Sequence, residues 1–269
     1  MLNASLLRRE AFAVTATRLR GWFCALLCGG LCQAAQAQPL HLYTEEYPPI
    51  NFSQNGQATG LATEVVREIM RRAGQSAPIS VVPWARGYQQ ALVRANTGLF
   101  VTMRTPEREA LFKWVGPLTR NVISFYALAS SHLSLTELEQ ARHFDEIAVA
   151  RGWSSHQRLL DQGFTNLVPV TGPAQMVSML KRGRVKLMVL DNLSLTTLLS
   201  QGEIQADEVQ QLLTLTHSDS YVAFSQGTDD ALILHWQHEL DGMKADGSFA
   251  AIYQKWLPGE PQPSMAPQP

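Results

Sequence analysis

Apolar positions along the chain switch between two periods. Short runs such as "LHLYT" (40–44), "ISVVP" (79–83) and "GLFVTM" (98–103) are five or six residues of mostly apolar character, which predicts strands. Between them, "GLATEVVREIMRRAG" (60–74) places Leu61, Val65, Ile69 and Met70 at helical spacing and stops at Gly74. That pattern predicts an amphipathic helix with a glycine stop. "WARGYQQALVRAN" (84–96) reads as a second helix. The resulting β-α-β-α-β run predicts a mainly parallel sheet covered by helices.

"VISFYALAS" (122–130) then reads as a longer apolar strand, after which the alternation restarts. "EIAVA" (146–150), "NLVPV" (166–170) and "VKLMVLD" (185–191) are strands. "SSHQRLLDQG" (154–163), "PAQMVSMLKRG" (173–183) and "NLSLTTLLSQG" (192–202) are the helices that follow them. "YVAFS" (221–225) is one more strand, and two helices (229–247 and 248–257) close the pattern. The last residues, 258–269, are rich in proline and are expected to be disordered. Two α/β units in one chain put ligands at the carboxyl ends of strands and in the crevice between units.

The first 37 residues follow neither period. Arg18 and Arg20 precede the apolar run "GWFCALLCGGLC", and Ala35 and Ala37 form a small-residue cleavage pattern. This predicts a secretory signal peptide cut after Ala37, and hence a periplasmic protein. All three cysteines (Cys24, Cys28 and Cys32) fall inside it, so the remainder carries no disulfide, thiolate nucleophile or cysteine metal site. The full chain of 269 residues has a net charge of −1. Without residues 1–37 it loses four basic residues and one acid and reaches −4, so no basic footprint points to nucleic acid. His235 and His238 are three apart on a helix but lack a third ligand at metal-site spacing, and "GWSSH" lacks the G-x-S-x-G elbow. No cofactor and no metal are expected.

The chemistry concentrates in "VTMRTPEREALFKWVGP" (101–117), where a strand runs into a charged turn. Arg108 is either a surface partner of Glu107 or Glu109, or a bidentate clamp for a carboxylate. Arg104 is either a second anchor or a cap on the strand. Asp191 ends a strand and opens a helix, which suits both an N-cap and a cleft acid. Trp84 follows a strand and opens a helix, a cleft position for an aromatic wall. Ser154 opens a helix after "RGW", where it reads as an N-cap or a ligand contact.

Four segments, in order, resemble the family 3 periplasmic solute-binding proteins, the receptors that serve polar amino acid ABC transporters. They are "YTEEYPPINF…NGQATGLATEVVREIMRRAG", "TMRTPEREALFKWVGP", "LKRGRVKLMVLD" and "LDGMKADGSFAAIYQKWL". The resemblance implies a type II two-lobed α/β fold, each lobe a mostly parallel sheet flanked by helices, joined by two crossover strands. Lobe 1 would be discontinuous, 38–122 and 219–257, with lobe 2 at 123–218. It implies a monomer that traps a small polar solute by closing and delivers it to an inner-membrane permease. By the same resemblance Arg108 holds the ligand carboxylate, Asp191 its ammonium, and Tyr47 stacks on it. Met103 and Val101 stand where amino-acid binders carry small hydroxyl residues, a departure that sets a related carboxylate beside an amino acid as the expected ligand. Two alternatives remain: a cyclohexadienyl dehydratase-like enzyme using Glu46 or Glu64 as the base, or a receptor for a membrane sensor.

Overall fold

The computed structural model describes residues 39–264. Residues 1–37, read as a signal peptide, and the three cysteines in them lie outside the described residues. Strands β1 (His41–Thr44), β4 (Ile79–Val81) and β5 (Thr97–Met103) pair in parallel, with β1 in the centre. Helix α1 (Leu61–Arg72) links β1 to β4 through a hairpin, β2 (Phe52–Gln54) and β3 (Gln57–Thr59), and α2 (Trp84–Val93) links β4 to β5. A second parallel group contains β7 (Ile147–Ala150), β8 (Leu167–Val170) and β9 (Leu187–Asp191). Its helices are α4 (Ser154–Asp161), α5 (Pro173–Lys181) and α6 (Asn192–Gln201); one short turn of helix, α3 (Pro106–Glu109), follows β5.

The two groups are edges of one eight-stranded sheet, ordered β4-β1-β5-β10-β6-β9-β7-β8. Its middle is a pair of 17-residue antiparallel strands, β6 (Phe112–Leu128) and β10 (Val209–Ser225). β5 pairs with Ser220–Phe224 of β10, and β9 pairs with Ile123–Tyr126 of β6. Between those contacts the long pair alone carries the chain across. There Thr119 Oγ1 meets Ser220 Oγ at 2.6 Å and donates to Asn121 Oδ1 at 2.7 Å, all three residues fully buried. Asn192 Oδ1, at the start of α6, accepts the Val122 amide at 2.8 Å.

Both long strands extend far beyond the sequence reading, which started them at Val122 and Tyr221. In β6 the run is broken by Gly116–Pro117 and polar Thr119–Asn121, and the β10 register shifts between Ser220 and Val222 beside Pro117. The first half of β10, "VQQLLTLTHSD", is nowhere fully buried, so it lacks the two-residue alternation that marks a half-buried strand. The hairpin β2–β3 was likewise not anticipated, although Asn55 and Gly56 both take positive φ as a two-residue turn requires.

Helices cover both faces. α1 packs with the closing helices α7 (Asp230–Asp246) and α8 (Ser248–Trp256) around Val65, Ile69, Phe224, Trp236, Leu240 and Tyr253. α2 covers the opposite face through Trp84 and Ala91 against Leu99 and Ala223. In the second group α5 and α6 bury Met176, Val177, Leu180 and Leu198 against β7 and β9, and α4 covers the other face with Leu159. The Pro-rich end, expected to be disordered, has no helix or strand through Ser264. Even so, Pro263 is buried and Arg120 Nη2 reaches Ser264 Oγ at 3.3 Å.

Candidate functional site

The carboxyl ends of β1 and β5 face those of β7 and β9, and a cavity of about 30 Å³ lies between them. Arg108 enters it from α3. Arg108 is 7% exposed, and its Nη2 donates to the Gly152 carbonyl at 3.0 Å. Nη1 makes a long contact of 3.4 Å to the Met103 carbonyl. The rings of Trp84 and Tyr88 lie 4.9 and 5.3 Å from the guanidinium carbon. Among the described residues no carboxylate reaches Arg108 within salt-bridge distance. Burial pulls its pKa below the ordinary arginine range. Of its two readings, the surface pair with Glu107 or Glu109 does not form.

Arg104 takes that surface role instead, and of its two readings, second anchor or cap on the strand, neither brings it into the cavity here. Its Nε and Nη2 hold both carboxylate oxygens of Glu109 at 2.7 and 2.5 Å, and it lies over the rings of Trp114 and Tyr221. The residue borders the wider groove outside, not the cavity.

Tyr47, Trp84, Met103, Ser154 and Asp191 all line the cavity. Asp191 is also the N-cap of α6: Oδ1 accepts the amides of Leu193 and Ser194 at 2.9 and 3.1 Å, and Oδ2 accepts Ser194 Oγ at 2.9 Å. Asp191 thus forms the N-cap and also lines the cavity, with three of its acceptor positions taken by its own helix. Tyr47 is 2% exposed, and burial, reinforced by Asp191, pushes its hydroxyl pKa well above the usual value. Ser154 is not the N-cap of α4; Trp153 holds that position, and the turn is closed by the Gly152 amide on His156 Nδ1 at 3.0 Å. Val101 lines the cavity with φ +64°, at the point where the β5–β10 register shifts. A β-branched residue in that region is a strained bulge beside the site.

The acid that sequence reasoning missed is Glu45. It is 6% exposed, lines the cavity, and accepts Trp153 Nε1 at 3.1 Å on Oε2. Trp153 reaches it from the opposite wall and meets Tyr47 edge-on at 5.1 Å. Burial, with Asp191 nearby, pushes the Glu45 carboxyl up to about 8, opposed in part by the indole hydrogen bond. Glu46 and Glu64, the acids named for the enzyme alternative, lie outside. Glu46 accepts the Ser53 amide on the exposed hairpin side, and Glu64 pairs with Lys255 at 2.6 Å. Among the described residues no cluster of three or more His, Cys, Asp or Glu is placed to hold a metal, and no helix is long and apolar enough to cross a membrane.

The arrangement offers one buried cation, two buried acids and aromatic walls in one enclosed space. Comparison with known proteins bears on what such a site serves. Amino-acid-binding protein AabA of Dichelobacter nodosus is 23% identical over 253 residues, 90% of this chain and 97% of that protein. A histidine kinase sensor domain similar to periplasmic binding proteins superposes with a TM-score of 0.75 at 20% identity, over 83% of this chain and 98% of that one. A histidine-bound ABC uptake transporter substrate-binding protein from Streptococcus pneumoniae gives 0.73 at 14% identity, over 85% and 94%. Residues 41–259 match the family model of the bacterial extracellular solute-binding proteins, family 3, and the chain belongs to that family.

Proposed function

We propose that this chain is an exported receptor that captures a small zwitterionic or carboxylate solute, an amino acid in the first instance, and delivers it to a membrane permease. The observation that carries the reading is Arg108: a buried arginine with no carboxylate partner among the described residues, lining a cavity between two parallel strand groups. A guanidinium presents parallel donors to a carboxylate, and exclusion of water strengthens the pair. The cavity of about 30 Å³ is too tight for an amino acid as its walls stand, so the walls part to admit one. The β6–β10 crossing supplies the hinge, with lobes at 38–122 plus 219–257 and at 123–218. The kinship with an amino-acid-binding protein supports the solute class.

The test is a thermal-shift screen of the chain from Gln38 onward, stripped of carried-over ligand by partial unfolding. The panel holds the standard amino acids, dicarboxylates and polyamines. A solute at ~100 times its dissociation constant adds about 2.7 kcal/mol of stability. One strong amino-acid shift that is lost in Arg108→Lys sustains the proposal; no shift from any carboxylate overturns it. Glu45 supports a second reading, an elimination enzyme with a buried protonated acid in the cleft. Turnover of a prephenate-like acid, absent in Glu45→Gln, would favour that reading over capture.

A further inference from the structure

Two acids share the cavity, and they differ in what their oxygens already do. Asp191 accepts two backbone amides and the Ser194 hydroxyl. A carboxylate has about four acceptor sites, so the start of its own helix takes three of those on Asp191. Glu45 differs. Among the described residues its carboxyl accepts from Trp153 Nε1 alone, on one oxygen. It is buried against the cavity that Arg108 enters.

We propose that Glu45, not Asp191, is the acid that takes the ammonium of a zwitterionic ligand whose carboxylate lies on Arg108, and that the ligand's arrival expels the Glu45 proton into solvent. This deepens the binding reading above and rests on it. The groups that bear on Glu45 are Asp191 at the end of β9, Tyr47 on the same loop, and Arg108 on α3; Trp153 opposite is neutral. In the free protein burial and Asp191 keep Glu45 protonated at neutral pH. An ammonium placed against it supplies the missing counter-charge, so the carboxylate form is favoured and the proton leaves. The carboxyl loses H⁺ to buffer, the ligand stays zwitterionic, and the charges balance. Affinity then rises with pH up to about 8, the value at which free Glu45 ionises unaided, and falls again once the ligand's own ammonium loses its proton.

The experiment is calorimetry with L-arginine, L-glutamine and L-glutamate, zwitterions that differ in side-chain charge. Each titration at pH 7 is run in two buffers of different ionisation enthalpy. For whichever probe binds, about one proton is released at pH 7 and about half as many at pH 8, where free Glu45 is half ionised and the probe is still zwitterionic. Glu45→Gln releases none and binds roughly ten- to a hundredfold more weakly. Binding without proton release, or undiminished in Glu45→Gln, overturns the assignment and leaves the amino-acid reading intact. Failure of all three probes to bind the wild type, where a carboxylate without an ammonium group does bind, removes the zwitterion reading and this proposal together. If Glu45→Gln does not fold, the buffer dependence of the wild type decides alone.

Discussion

Replacing Arg108 with Met separates a structural arginine from a ligand-holding one. Among backbone carbonyls the guanidinium has one good acceptor, Gly152 at 3.0 Å, and a marginal one, Met103 at 3.4 Å. A charge-assisted hydrogen bond contributes about 1.5–3 kcal/mol, and the contacts over Trp84 and Tyr88 about 0.5–2 kcal/mol. Against them stands the cost of holding a charge out of water with no carboxylate beside it, several kcal/mol. Met keeps most of the stem packing and removes that cost. The opposing terms are of similar size, so Arg108→Met should unfold in urea within about 2 kcal/mol of the wild type. The same variant should show no thermal shift with the solute that stabilises the wild type. Loss of more than about 4 kcal/mol in the ligand-free variant would refute the reasoning, because it would make Arg108 a strut whose bonds outweigh its desolvation.

Three other outcomes follow from the geometry. Gly60→Ala should lose about 2–4 kcal/mol in chemical denaturation, because φ is +108° and a Cβ would lie 2.6 Å from the Ile50 carbonyl oxygen. Thr119→Val, almost the same shape, should cost about 1–3 kcal/mol by leaving the Ser220 hydroxyl and the Asn121 carbonyl oxygen buried without their partner. Glu45→Gln should gain stability relative to the wild type as pH rises. The folded carboxyl is raised from 4.5 to about 8, so the stability tied to its proton is present below pH 4.5 and lost as pH rises through about 8. A melting-temperature difference between the two proteins that stays flat from pH 5 to pH 8 would contradict this.

How much was legible follows the physics of each signal. The helices with one buried face were readable: α1 and α5 fall within a residue or two of the predicted spans, and Gly74 and Gly183 stop them with φ near +63°. The short parallel strands were readable because both faces are buried, as in β7 and β9. The crossing half of β10 was not, because it has little to bury. The site divided in the same way. Asp191 and Trp84 sit where a strand turns into a helix, a junction that hydrophobic period reveals. Arg104 and Arg108 share one charged turn, and only the coordinates show which reaches the cavity and which reaches Glu109.

Glu45 shows why alternation misleads at a strand end. In β1, Leu42 and Thr44 point inward and are fully buried, while His41 and Tyr43 are half-exposed. Continuing that period puts Glu46 inside and Glu45 outside. The strand stops at Thr44, and the chain bends at Glu46 before the turn of Tyr47–Ile50. That bend is fixed by Asn51, whose side-chain amide donates to the Glu45 carbonyl at 2.7 Å, and by the Tyr47–Asn51 bridge. The turn breaks the alternation, so consecutive glutamates exchange places: Glu45 goes to the cavity and Glu46 to the hairpin amide of Ser53. Trp153, arriving from β7 some hundred residues later in the chain, then closes over Glu45 and supplies its hydrogen bond. Neither event leaves a mark on the local pattern of "YTEEYPP", because one depends on a six-residue loop contact and the other on the opposite wall. Loss of the Asn51 contact is therefore the change that would put the wrong glutamate in the site without touching a residue that lines it.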